Sequence, residues 1–299
     1  MRYISRERNS KEDIITESSM ALNFFYGCFL GRALLKITTT KLITNIIACY
    51  MNSKMSRKKI GKFVEKNNIN TFEYESKNYK SYNEFFTRIV IPYKRPIDAQ
   101  KDRFISPCDS KVIVYNINKD LTLKIKDSYY SIDTLVEKDI LEDYIDGYAF
   151  VFRLSVDNYH RYCYIDSGTK EKNVKIKGIF HTVQPISLKH YNFFKTNSRE
   201  YTILHTKHFG DVVDVEVGAM GVGKIVNNHQ EYKFKKGEEK GYFEFGGSTI
   251  VLLVKKNILS VDKDILENSK EEIETIVKYG EGIATNTLFT KIVNFITFK

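Results

Sequence analysis

After Phe104 apolar and polar residues alternate in short runs separated by polar turns. A period of two predicts strands. They fall at Lys111–Tyr115, Leu121–Ile125, Tyr148–Leu154, Val174–Val183, Tyr201–His208, Val212–Val217, Gly221–Val226 and Tyr242–Phe245. Ile250–Val254 is apolar throughout and reads as a buried strand. No long helical pattern separates these runs, so the pattern predicts an α+β chain with an antiparallel, β-rich core, barrel-like or sandwich-like. Before residue 100 the pattern changes. Ser18–Gly31 and Leu42–Ser53 are uncharged, Ser56–Asn67 reads as a short basic helix, and Glu84, Phe85, Phe86 and Arg88 look helical until Pro92 stops the run. The predicted division is a helical region at 1–100 and a β-rich domain at 101–299. The tail, Lys270–Lys299, mixes a short helical pattern with YGEGIATN, whose glycines read as a turn before a last amphipathic segment.

The two uncharged runs are too short to cross a bilayer alone. Fourteen helical residues span roughly 21 Å, against a hydrocarbon core of about 30 Å. Basic residues flank them: Arg32, Lys36 and Lys41, then Lys54, Arg57, Lys58, Lys59 and Lys62 without an intervening acid. Short apolar helices edged with basic residues suit a membrane interface, and each basic residue near an anionic leaflet adds about 1 kcal/mol. The competing reading is a helical hairpin packed on the body of the protein. The acidic residues before Ser18, and the absence of a cleavage pattern, exclude a secretory signal.

Composition narrows the class. At 299 residues, 42% of them hydrophobic and with 20 Tyr and 20 Phe, the chain can bury a sizeable core and is not disordered. A net charge of +10 points to an anionic partner surface. Nucleic acid is disfavoured, because the aromatics are not interleaved with basic residues on any one stretch. Cys28, Cys49, Cys108 and Cys163 are scattered without a CxxC pair, which indicates a reducing compartment and no zinc knuckle. The histidines show no third-ligand spacing, so no metal is predicted.

Reactive groups concentrate in three segments: SPCDSKV with Asp109, DNYHRYCYID with Asp157, His160, Cys163 and Asp166, and FGGST with Ser248. A nucleophile, a base and an orienting acid can assemble from distant segments, although such a trio arises by chance in most chains of this size. Gly246 and Gly247 interrupt a strand pattern at a cost in backbone entropy. Either they form a bulge or tight hairpin, or they expose a peptide bond to the following serine.

Taken in order, YNEFFTR with KRPID (82–98), SPCDSKV (106–112), DNYHRY (157–162), TVQPISL (182–188), NSRE (197–200), VGAMGVGKI (217–225) and KGEEKGYFEFGGST (236–249) resemble the phosphatidylserine decarboxylase family over nearly the whole chain. The resemblance implies a self-processing proenzyme. Ser248 would attack the carbonyl of Gly247, the chain would be cut between them, and Ser248 would become a covalent pyruvoyl group. The large chain (1–247) and small chain (248–299) would stay together as a heterodimer. The pyruvoyl group would form a Schiff base with phosphatidylserine and release CO2, giving phosphatidylethanolamine. Asp109 and His160 match the family's relay residues and complete the catalytic set with Ser248. Many relatives carry a second histidine three residues after the first; Cys163 stands there instead, so His160 would serve both cleavage and protonation, or Cys163 would take one role. The implied location is the cytoplasmic face of the cell membrane, against an anionic lipid surface, and a homodimer stays open. Two alternatives are a pyruvoyl decarboxylase of a soluble amino acid and a non-enzymatic, membrane-associated β module.

Overall fold

The computed structural model describes residues 2–6, 14–16, 41–125, 128–178, 197–218, 224–245 and 248–287. The strands are β1 (Arg2–Ser5), β2 (Ile15–Thr16), β3 (Arg103–Ile105), β4 (Ser110–Asn116), β5 (Leu123–Ile125), β6 (Ser128–Tyr130), β7 (Tyr148–Leu154), β8 (Arg161–Cys163), β9 (Gly168–Lys170) and β10 (Val174–Ile176). They continue as β11 (Arg199–Thr206), β12 (Gly210–Val217), β13 (Ile225–Asn227), β14 (Tyr232–Phe234), β15 (Glu239–Phe243), β16 (Ser248–Val254), β17 (Leu259–Val261), β18 (Ile273–Val277) and β19 (Gly282–Asn286). The α-helices are α1 (Lys41–Asn52), α2 (Lys59–Lys66), α3 (Tyr82–Phe86), α4 (Ile132–Val136), α5 (Leu141–Tyr144) and α6 (Lys263–Lys270).

An 11-stranded sheet runs β14-β9-β11-β12-β16-β7-β4-β18-β1-β2, with β10 beside β11. Its pairs are antiparallel except β1 with β18. β16 lies in the middle, between β12 and β7, and all 7 of its residues are buried. A strand buried on both faces needs an unbroken apolar run, and STIVLLV supplies one. Ile250, Leu252 and Val254 face one core, and Val251 and Leu253 face the other. Two 3-stranded sheets, β13-β15-β8 and β17-β19-β3, contribute Phe243, Tyr162, Leu259 and Phe104 to the first core. The β5–β6 hairpin, α4 and α5 cover the second. The architecture is therefore α+β and layered like a sandwich.

Tyr148–Leu154 forms as predicted, residue for residue, and the buried run starts two residues before Ile250. The expectations at 179–183 and 221–223, and the uncharged run Ser18–Gly31, lie outside the described residues. The second uncharged run is helical as α1 up to Asn52, and the basic helix is split into a 3-10 turn at Lys54–Lys58 and α2. Two elements depart from expectation. β1 inserts into the main sheet, where Ile4 is 4% exposed, and Arg6 ties the chain start to Asp262, Asp264 and Glu281. The YGEGIATN segment turns at Gly280, whose φ of 81° suits glycine, and then continues as β19.

Candidate functional site

Ser248 opens β16 opposite Leu154 of β7 and is 1% exposed. Alternation puts it on the same face as Ile250 and Leu252, toward the small sheets. The two glycines before it lie outside the described residues. The chain is held up to Phe245: the Phe243 N–H donates to the carbonyl of His160 at 2.9 Å, and the Phe245 N–H donates to Asn83 Oδ1 at 3.0 Å.

Asn83 belongs to α3, which positions much of this region. Ser81 caps the helix by accepting from the Glu84 N–H, and four of its five residues are buried. The helical region anchors it from the other side, with Tyr82 N–H donating to Ser56 Oγ and Asn83 Nδ2 donating to Asn52 Oδ1. Phe86 then lies against both His160 and Phe245, at ring-centroid distances of 3.9 and 5.5 Å.

His160 is fully buried. Its Nδ1 is 2.9 Å from the carbonyl of Asn158. A carbonyl only accepts, so Nδ1 carries the proton and Nε2 is left as a base, buried and without a partner. Burial, reinforced by the Arg88 cation, pushes the imidazole down from 6.5 to about 3. His160 is a neutral base at physiological pH.

Asp109 is 2% exposed, but its carboxylate is already engaged. Arg95 grips it in a fork at 2.8 and 2.7 Å while also meeting Glu73, and the Tyr279 N–H donates to Oδ1 at 2.8 Å. It shares no hydrogen bond with His160 in this form. Cys163 is buried too, and burial pushes its thiol up to about 12. Tyr279, which the sequence patterns did not single out, reaches Asp109 through its backbone N–H and donates its hydroxyl to the Gly237 carbonyl at 3.2 Å.

The remaining candidates serve local structure. Asp166 accepts from the backbone and ring of His208, the Asp157 carbonyl accepts from Arg88, and His205 bridges Asp211 and Glu171. Among the described residues no cluster of three His, Cys, Asp or Glu could hold a metal. Sequence patterning also missed a buried ion cluster. Lys240 of β15, itself fully buried, meets Asp214 and Glu216 of β12, although Glu238 and Glu239 just before it read in the sequence as a solvated turn. Arg88 was legible only as one letter of a helical motif; it is 1% exposed.

Residues 82–285 match the family model for phosphatidylserine decarboxylase. The chain is 48% identical to phosphatidylserine decarboxylase proenzyme 2 of Clostridium acetobutylicum over 264 residues, covering 88% of this chain and 90% of the relative. It is 40% identical to the phosphatidylserine decarboxylase proenzyme of Clostridium botulinum (strain 657 / Type Ba4) over 293 residues, covering 95% and 99%. The proenzyme of Clostridium novyi (strain NT) is 39% identical over 288 residues, covering 93% and 98%.

Proposed function

The chain belongs to the phosphatidylserine decarboxylase family, and on that premise we propose that Ser248 is its self-cleaving nucleophile and His160 the base that serves it. The family activity is pyruvoyl-dependent decarboxylation of phosphatidylserine to phosphatidylethanolamine by a self-processed proenzyme, and it acts on a membrane phospholipid.

The carrying observation is the buried junction at β16. Ser248 begins a strand paired with β7 along its full length and with β12 over Thr249–Leu253, and the chain five residues before it is bonded at Phe243 to His160, a neutral histidine whose Nε2 has no partner. In the proposed cleavage, Ser248 Oγ attacks the Gly247 carbonyl and gives its proton to His160 Nε2. Glycine before the serine leaves the approach unobstructed. The N→O shift produces an ester, elimination of the Gly247 carboxylate leaves dehydroalanine at 248, and hydrolysis yields the pyruvoyl carbonyl and ammonia. The site suits that group: the new end stays inside the core because β16 remains paired with β7 and β12, and burial excludes bulk water. The pyruvoyl carbonyl supplies the electron sink that decarboxylation of an amino acid requires. His160 is then the residue that moves a proton at the α-carbon. Cys163, held protonated, is a poor base at neutral pH, which favours His160 for both tasks. Asp109, gripped by Arg95, would join the relay only after that fork rearranges.

The large and small chains form the proposed heterodimer. Residues 1–100 form the proposed membrane-facing region, at the cytoplasmic face. Among the described residues no helix is long and apolar enough to cross a membrane. The exposed Ile46, Tyr50 and Met55 beside the exposed Lys54, Arg57, Lys58, Lys59 and Lys62 instead suit a helix lying on an anionic surface.

Intact mass on the purified protein is the direct test. Chains 1–247 and 248–299, with CO2 released from phosphatidylserine, are expected; a single 34.9 kDa chain without activity would overturn the proposal. His160→Ala should block cleavage, whereas Cys163→Ala should process within a few-fold of the parent rate. The reverse pattern would transfer the relay to Cys163.

A further inference from the structure

Arg88 and Arg199 are the largest fully buried side chains among the described residues, and Arg88 has no acidic partner among them. Its Nη2 donates to the Tyr74 hydroxyl at 3.2 Å and to the carbonyls of Asp157 and Asn158 at 2.9 and 3.2 Å. Its Nε and Nη1 have no hydrogen-bond partner. The guanidinium packs on the faces of Tyr74 and Phe85, at 4.3 and 5.1 Å from their centroids. Tyr74 and Phe85 therefore fix the plane of the fork without neutralising it.

Contrast the other buried arginines. Arg95 is neutralised by Asp109 and Glu73, and Arg199 spends its donors on the carbonyls of Thr134, Leu135 and Asn197 at one end of α4. Burying a guanidinium with two N–H groups unpaired is unfavourable unless an anion joins it. The unpaired Nε2 of His160 belongs to the same neighbourhood, since the Asn158 carbonyl accepts from both Arg88 and His160.

We propose that Arg88 is the substrate-anion receptor of this active site, an unpaired guanidinium N–H pairing with an oxyanion of the lipid headgroup and so setting the reacting amino acid beside His160. Nε and Nη1 lie on opposite edges of the guanidinium, so each offers a single charge-assisted hydrogen bond to a carboxylate or phosphodiester oxygen rather than a shared fork. The unprocessed chain seals these atoms from solvent. Phe245, edge-on to Phe86, which in turn lies against His160, stands three residues before Ser248, so cutting the chain there is the event that opens the way. An anion at Arg88 would also offset the positive charge that adds to burial in keeping His160 unprotonated.

The inference rests on the decarboxylase reading, and activity of the parent enzyme tests that reading separately. Arg88→Lys and Arg88→Met should both self-cleave, because no substrate anion takes part in processing. With phosphatidylserine in mixed micelles, Arg88→Met should lose at least tenfold in kcat/KM, mainly through KM. Arg88→Lys should recover part of the loss, and added guanidinium should partly rescue Arg88→Met. Inhibition by short-chain phosphatidylethanolamine, which keeps the phosphodiester and lacks the carboxylate, identifies the group read. Weakened inhibition in Arg88→Met assigns the phosphodiester, and unchanged inhibition with a raised KM assigns the carboxylate. A KM within twofold of the parent overturns the proposal. Failure of both variants to process would also overturn it, by assigning Arg88 to holding the 157–160 turn.

Discussion

His160 illustrates how one buried side chain ties chemistry to stability. Its folded form resists protonation down to about 3, whereas an exposed histidine takes its proton near 6.5. Below 6.5 the unfolded chain binds a proton that the folded chain refuses, so this contribution to stability is complete above 6.5 and lost as pH falls toward 3. In the uncleavable Ser248→Ala precursor, unfolding temperature should drop across that window. His160→Gln in the same background should flatten the drop, by an amount on the order of a few kcal/mol. Equal slopes in the two proteins would show that the imidazole is not neutral in the fold. Calorimetric scans between pH 3 and 7 distinguish the two.

Strand β16 carries the corresponding argument for elements. Leu252 is fully buried between Phe150 of β7 and Asp214 of β12. Leu252→Ala in the Ser248→Ala background should cost about 2–5 kcal/mol in denaturant unfolding. A cost under 1 kcal/mol would mean that the strand is not locked into the sheet. This element was legible because seven apolar or small residues in a row suit a position covered on both faces. Tyr148–Leu154 was equally clear. Helix α6 was not, since KDILENSK buries only Ile265 and Ser269 and shows little apolar periodicity. β1 was hidden for another reason: RYIS is too short to announce itself, and its partner lies some 270 residues away. Among the proposed site residues, Asp109, His160 and Ser248 stood out by their motifs. Tyr279, Lys240 and Arg88 could not, because their roles come from partners brought together only by folding.

For the whole molecule, the position of β1 alters how membrane attachment must be tested. Removing residues 1–53 would strip a sheet strand, the Arg6 ion pairs and the Asn52 contact to α3, so loss of lipid binding could not be separated from damage to the fold. Surface substitutions avoid this. Ile46→Glu with Met55→Glu changes side chains that are 60% and 70% exposed, and should lower partition onto anionic liposomes several-fold while leaving self-cleavage intact. Unchanged sedimentation with the vesicles would place the contact elsewhere.

The pairing of β1 with β18 also bears on when the protein can mature. A ribosome delivers Arg2–Ser5 some 270 residues before Ile273–Val277, and β16 emerges after both β7 and β12, between which it pairs. Domains usually fold as the chain emerges, but here β1 must wait for β18. Because β4, β7 and β12 all precede Ser248, the strands that hold 248–299 are already made when that segment emerges, and a cut at its start leaves it paired on both sides.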